Sequence, residues 1–223
     1  MARGGAARRT VTPQQYDAWY GSPRGRWIGD TEYGLVHGML APSAGSSILD
    51  IGCGTGYFSR RFARDGHAVT SVDINPAMIG FARAHRVAGE DYFVADALAL
   101  PFGERAFDYC ISVTALCFVR DERRALEEMV RVARHGIALG LLNRRSLLYW
   151  QKGRRGGSGA YRGAHWHTAR EAQSLLAGLP LDTPQIRSAV FLAAGGAGSR
   201  CLEAQVSNRL LWGGFLAVAA ARS

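Results

Sequence analysis

Three glycines at alternate positions, Gly52, Gly54 and Gly56, follow an apolar run that closes on Asp50, and Phe58 and Phe62 then recur at helical spacing. A strand, a tight turn and a helix account for the pattern. Glycines in such a turn let a ligand lie against the main chain with no Cβ in the way. Asp73 closes a second apolar run, Ala68 to Val72, where a βαβ unit places the residue that meets a ribose. Its carboxylate can accept hydrogen bonds from both ribose hydroxyls. Asn75 and Pro76 behind it also suit the cap and first position of a helix. The dinucleotide fingerprint Gly-x-Gly-x-x-Gly fits poorly, because the third glycine comes one position early and Tyr57 takes its place. The chemistry in view is the binding of a nucleoside-like ligand without a pyrophosphate cradle.

The run Asp50-x-Gly52-x-Gly54-x-Gly56 fills the motif Asp/Glu-x-Gly-x-Gly-x-Gly, and here the sequence resembles the class I methyltransferases that use S-adenosylmethionine. Asp96-Ala97 after the run Tyr92 to Ala95, Leu100-Pro101-Phe102 and Ala106-Phe107-Asp108 match further motifs of that class. The stretch from Phe118 to Gly136 is similar to its type 11, ubiquinone/menaquinone-biosynthesis-like branch. The resemblance implies S-adenosylmethionine as cofactor. It assigns Asp50, Gly52, Cys53, Gly54 and Gly56 to the methionine side, Asp73 and Ile74 to the ribose and Asp96 and Ala97 to the adenine, with Thr114 and Tyr16 completing the set. Val113-Thr114-Ala115-Leu116 differs from the Asn/Asp-Pro-Pro-Tyr/Phe signature of enzymes that methylate nucleobase or glutamine amines, so those acceptors are disfavoured.

A sulfonium methyl is already a strong electrophile, so the protein's main task is alignment and exclusion of water, and a base is needed only where the acceptor must lose a proton. His165 and His167 are the candidate general bases, since histidine titrates nearest neutral pH. Alternation across Trp166 puts both on one face, but two ligands without a third make a weak metal site, and none is expected. Cys117 lacks a neighbouring base and reads as a buried thiol at the rim of the site. The acceptor is expected between Tyr16 and Tyr20, Thr114 and Cys117, Asn143, and His165 to His167.

The elements needed to hold these groups are legible in order. A short helix plus a Ser22-Pro23-Arg24-Gly25 turn is expected over Thr12 to Gly25, then a helix from Trp27 to Leu40 with Ile28, Val36 and Leu40 on its apolar side. Further helices are expected over Pro76 to Arg86, over Asp121 to Arg134 with Gly136 ending it, and from Ala169 behind a Thr168/Glu171 capping box. Strands are expected at Ala68 to Asp73, Tyr92 to Ala95, Tyr109 to Val113 and Ile137 to Leu142, with a terminal pair within Pro184 to Ala194 and Trp212 to Ala221. The expected fold is α/β: a Rossmann-like seven-stranded, mostly parallel sheet with helices on both faces and the last strand antiparallel. Residues 1–45 would form an N-terminal helical lid segment, and residues 46–223 the class I methyltransferase domain, in one compact unit.

The 223 residues are 48% apolar, with no apolar run long enough to cross a membrane. Met1 to Arg9 lacks the apolar core of a secretory signal and reads as a frayed start. Four cysteines without Cys-x-x-Cys spacing suit a reducing, cytoplasmic setting. The formal charge of +9 comes almost wholly from arginine, Lys152 being the one lysine, and no Asp or Glu lies between Met129 and Arg170. Within that tract, Arg144 to Trp166 mixes arginines, aromatics and glycines. It suits a solvated surface, a pocket for an acidic small molecule, or contact with an RNA or an anionic membrane. The favoured function is methyl transfer to a small, possibly acidic molecule. The alternatives are transfer to RNA or an anionic lipid, or a non-catalytic S-adenosylmethionine-binding module.

Overall fold

The computed structural model describes residues 11–223; the expectation for Met1 to Arg9 lies outside them. Helix α1 (Pro13–Gly21) opens with a capping box between Thr12 and Gln15. Helix α2 (Pro23–Leu40) starts four residues before the expected Trp27. Ser22 caps it through its side chain and Pro23 occupies its first turn, where the missing N–H costs nothing, so the turn signal is a helix start.

Strand β1 (Ser47–Ile51), helix α3 (Tyr57–Arg64), strand β2 (Ala68–Asp73), helix α4 (Pro76–Ala84) and strand β3 (Glu90–Val94) follow. Then come strand β4 (Phe107–Val113), helix α5 (Glu122–Val132), strand β5 (Ala133–Leu142), helix α6 (Ala169–Leu176), strand β6 (Gln185–Ala189), helix α7 (Ala197–Gln205) and strand β7 (Phe215–Ala221). The seven strands form one sheet in the order β3-β2-β1-β4-β5-β7-β6, parallel except that β7 runs antiparallel to both β5 and β6. This is the architecture expected from the sequence.

Both faces of the sheet are covered, and the two-residue period of each strand feeds them alternately. On one face Leu49, Ile137, Leu139, Leu141, Leu216 and Val218 pack with Leu126, Met129 and Val130 of α5 and Ala172 and Leu176 of α6. On the other, Ile48, Phe215 and Ala217 pack with Phe58 and Phe62 of α3 and Ile28, Tyr33 and Val36 of α2. Burying one such aliphatic or aromatic side chain contributes roughly 1.5–3 kcal/mol, so α2 is firmly held by its apolar face.

Two further elements differ from the sequence reading. Gly136 lies inside β5 and does not end α5: Ala133 leaves the helical region, pairs with Phe107, and the strand continues through Gly136 opposite Ala221. Pairing on both sides overrides the local stop signal. Helix α7 lies between the two expected terminal strands, where no element was expected; its Glu203 carboxylate accepts from the backbone N–H groups of Val190 and Phe191 where β6 ends.

Candidate functional site

The carboxyl ends of β1, β2, β3 and β4 converge on one cavity of about 650 Å3. Ligands in open parallel sheets collect at this end, near the point where strand order reverses, here between β1 and β4. The loop from β1 to α3 forms its floor. Gly52, Gly54 and Gly56 have φ of 76°, 55° and 79°, a region that L side chains rarely adopt. A Cβ on Gly52 would overlap the Cβ of Ala115 at the exit of β4, and one on Gly56 would strike the Tyr92 hydroxyl. At Gly54 the nearest atom is a Tyr16 ring carbon at 3.8 Å, so that position faces the open cavity.

Asp73 organises this loop from the next strand. Its Oδ2 accepts from the Gly54 N–H at 2.9 Å and its Oδ1 from the Asn75 N–H at 2.8 Å, which leaves a lone pair on each oxygen for a ligand. Asp96 lines the cavity at the end of β3 and spends one oxygen on the Leu98 N–H at 2.9 Å. Ile74, Ala97, Thr114 and Tyr16 line the same space, whereas Asp50 and Cys53 line a small adjoining recess beneath the loop. Gly56 is outside both linings and serves the turn.

Asp50 is buried, accepts from the Ser59 hydroxyl at 2.6 Å, and is pushed up to about 7, chiefly by burial and further by Asp73 and Glu90. A cationic ligand here favours the carboxylate, so binding must release a proton near pH 7 and tighten as pH rises through that value. Calorimetry in buffers of different ionisation enthalpy reads this directly: proton release on addition of S-adenosylmethionine is the expected result, and it should vanish in Asp50→Asn.

The opposite wall comes from α1, α2 and the segment after β5. Arg60 of α3 ties α1 to the loop, donating to the Thr55 carbonyl at 2.6 Å and to Asp17 at 2.8 Å. Tyr20 stacks on Tyr57 with ring centroids 3.8 Å apart. Through these contacts Tyr16, Trp19, Tyr20, Arg24, Ile28 and Glu32 face the cavity, joined by Lys152, Ala160 and Tyr161 from the basic segment and by Val190 and Ala193. The inner edge of that segment is therefore cavity wall, while Trp150, with Arg154 stacked 4.6 Å above its ring, is exposed.

Several sequence candidates lie outside the lining. Cys117 is buried, accepts from the Leu142 N–H, and is pushed up to about 12 by burial, so it is inert as a nucleophile near neutral pH. Asn143 is buried and donates to the carbonyls of Leu211 and Gly213. His165 donates from Nδ1 to Glu122 at 3.1 Å and the buried His167 from Nε2 at 3.0 Å. Glu122 sits in the first turn of α5 and, with the two histidines, brings three ligand-type side chains within 4.8 Å; its carboxylate accepts from one nitrogen of each ring, and the buried His167 Nδ1 has no partner among the described residues. The pair thus pins the strap 165–167 to α5, and its backbone bonds the strap to the ends of β4 and β5.

Glu32 was not singled out in the sequence, yet a signal was there. It stands at helical spacing between Ile28 and Val36, an acid on the apolar side of α2. The structure leaves it 9% exposed, and desolvation pushes its carboxyl up to about 8.

The parallel sheet with its reversed terminal pair, the three-glycine loop and the carboxylates closing β2 and β3 are those of the class I S-adenosylmethionine-dependent methyltransferases. Residues 49–139 match the model of a family described as "Methyltransferase domain" (Methyltransf_11). A malonyl-acyl-carrier protein O-methyltransferase of Serratia marcescens is 39% identical over 99 residues, which span 44% of this chain and 38% of that relative. The aligned region thus spans well under half the length of that relative. Among solved structures, a Thermotoga maritima S-adenosylmethionine-dependent methyltransferase described as a possible histamine N-methyltransferase superposes with a TM-score of 0.78 at 21% identity, covering 94% of this chain and 96% of its own. The magnesium protoporphyrin IX methyltransferase of Synechocystis, solved with bound S-adenosylhomocysteine, gives 0.65 at 17% identity over 94% of each chain. At such identities the structural likeness is one of fold. Residues 49–139 thus match a methyltransferase domain, within a fold shared with S-adenosylmethionine-dependent methyltransferases.

Proposed function

We propose that this chain transfers the methyl group of S-adenosylmethionine to a small-molecule acceptor. The observation that carries the reading is the single cavity that joins the glycine loop and Asp73 to a wall of Tyr16, Trp19, Tyr20 and Tyr161. The residues present fit the cofactor. Gly54 leaves the loop open for close approach, and Asp73 keeps lone pairs for ribose hydroxyls while fixing the loop. Asp96 and Ala97 suit adenine, and the buried Asp50 supplies negative charge beneath the methionine end.

Bound S-adenosylmethionine supplies an electrophilic methyl on a sulfonium. The protein's own part is to hold the acceptor in line with it and keep water out. Helices α1 and α2, within the N-terminal segment 1–45, would close the acceptor side as a lid, with Tyr16 at the boundary between the two halves. Arg24, Arg120 and Lys152, which line the same cavity, support an acidic group on the acceptor. His165 and His167 have no part as bases in this reading, because neither lines the cavity. A second reading, transfer to an RNA or anionic lipid, draws on the exposed Trp150 and Arg154. No helix of the described residues is long and apolar enough to cross a membrane, which is consistent with the cytoplasmic setting we propose.

The test is an S-adenosylhomocysteine-release assay with aromatic hydroxyl, amine and carboxylate acceptors, alongside RNA and anionic vesicles. Turnover on a small molecule supports the reading. Turnover confined to RNA or vesicles would replace it with the second, and cofactor binding without turnover on any acceptor would indicate a binding module.

A further inference from the structure

The buried carboxylates of this protein divide sharply by their partners. Asp50 takes a hydrogen bond from Ser59, Glu90 from the Val87 N–H and Tyr92, Glu122 from two histidines, and Glu128 from the Leu100 N–H and Arg131. Glu32 is also buried, at 9% exposed, and takes none from any described residue. An unpartnered carboxyl this far from water is costly to fold around, and no side chain among the described residues donates to it.

Its position says what the missing donor is. Glu32 lines the cavity on the wall of Tyr16, Tyr20 and Tyr161, not the glycine loop. Tyr16 lies between: its ring stands 3.8 Å from where a Gly54 Cβ would be. Its phenol is pushed up by burial first and further by Glu32 and by Asp73, and all three side chains line the one cavity. Glu32 thus belongs to the space beyond the cofactor.

We propose that Glu32 is the acceptor-recognising residue, accepting a hydrogen bond from a hydroxyl or amine of the methyl acceptor. This rests on the reading of the cavity as a methyltransferase site. A site built to pair with a donor rejects analogues that lack one, because the buried carboxyl is then left unpaired. The phenol and indole rings beside Glu32 provide flat apolar surface for the body of such a molecule and, where the donor is an ammonium, faces that attract a cation.

The experiment uses the full chain saturated with S-adenosylhomocysteine and four probes on one two-ring body: 2-naphthol, 2-naphthylmethylamine, 2-methylnaphthalene and 2-naphthoate. Their affinities are read by calorimetry and ligand-observed NMR for the wild type, Glu32→Gln and Glu32→Ala. At least one donor-bearing probe is expected to bind the wild type about tenfold or more tighter than 2-methylnaphthalene, an advantage that disappears in Glu32→Ala. An advantage of naphthol that survives in Glu32→Gln assigns a hydroxyl, since the Gln amide oxygen still accepts; one confined to the amine and lost in both variants assigns an amine. The proposal is overturned if neither donor-bearing probe outbinds 2-methylnaphthalene, undetectable binding of all four included, or if the preference persists in Glu32→Ala. Titration of each protein with S-adenosylhomocysteine separates the two readings: no binding to the wild type removes the methyltransferase assignment itself, whereas intact binding in the variants confines the change to the acceptor half.

Discussion

Glu32→Gln is expected to leave the melting temperature nearly unchanged at pH 5 and to raise it above that of the wild type increasingly toward pH 9. The wild-type carboxyl is pushed from 4.5 to about 8 in the folded protein by desolvation. A group with a raised folded value holds its proton in the native state and loses it on unfolding, so its contribution is fully present below the unfolded value and lost as pH rises to the folded one. The window is therefore about pH 4.5 to 8, and the full loss has an upper limit of about 5 kcal/mol. For a chain of this size that limit corresponds to roughly 10–20 °C in melting temperature. The phenols on its wall leave the window clear, since those of Tyr16, Tyr20 and Tyr161 are all pushed above their ordinary values. Melting curves of variant and wild type that run parallel from pH 5 to 9 would show that Glu32 is not desolvated as described.

Gly52→Ala and Gly54→Ala are expected to fail in different ways, although both positions have positive φ. At Gly52 the new methyl overlaps Ala115 where β4 ends, so backbone strain of about 1–2 kcal/mol adds to overpacking of about 1–3 kcal/mol. That variant should melt well below the wild type. At Gly54 only the strain applies, because nothing but the Tyr16 ring edge lies within 4 Å. The methyl there stands in the cavity, so the variant should keep its fold while S-adenosylhomocysteine affinity falls about a hundredfold or more, the cost of about 3 kcal/mol for a blocked contact surface. Thermal melts and titrations on the pair check this; equal losses of stability, or unimpaired binding by Gly54→Ala, would contradict the loop geometry.

The cofactor half was legible because its signals are local. Asp50 to Gly56, Asp73 and Asp96 sit at or just beyond the ends of short strands, where spacing alone fixes turn, strand end and carboxylate. The acceptor half was not, because its parts are brought together by packing. Tyr16 and Tyr20 were legible as lid candidates, but the facing Tyr161 comes from an irregular segment whose path no periodicity predicts. Glu32 carried a sequence signal, an acid within an apolar helical stripe, that has meaning only once the stripe is known to border a cavity. The histidines show the converse. Their shared face was correctly legible, but Glu122, which accepts from both, is 43 and 45 residues away in sequence. Gly136 illustrates the same limit for secondary structure, since a helix-ending residue type was drawn into a strand by partners on β4 and β7.

The most direct test of the central claim is a calorimetric titration of the wild type and Asp73→Ala with S-adenosylmethionine, S-adenosylhomocysteine and NAD. Asp73 both fixes the Gly54 and Asn75 N–H groups and presents the lone pairs assigned to the ribose, so its loss removes the loop's order and its ligand contact together. The account predicts binding of the first two ligands near about 1 μM, or about −8 kcal/mol, abolished in Asp73→Ala, with no binding of NAD. Binding of NAD in their place, or S-adenosylhomocysteine affinity indifferent to Asp73, would contradict it.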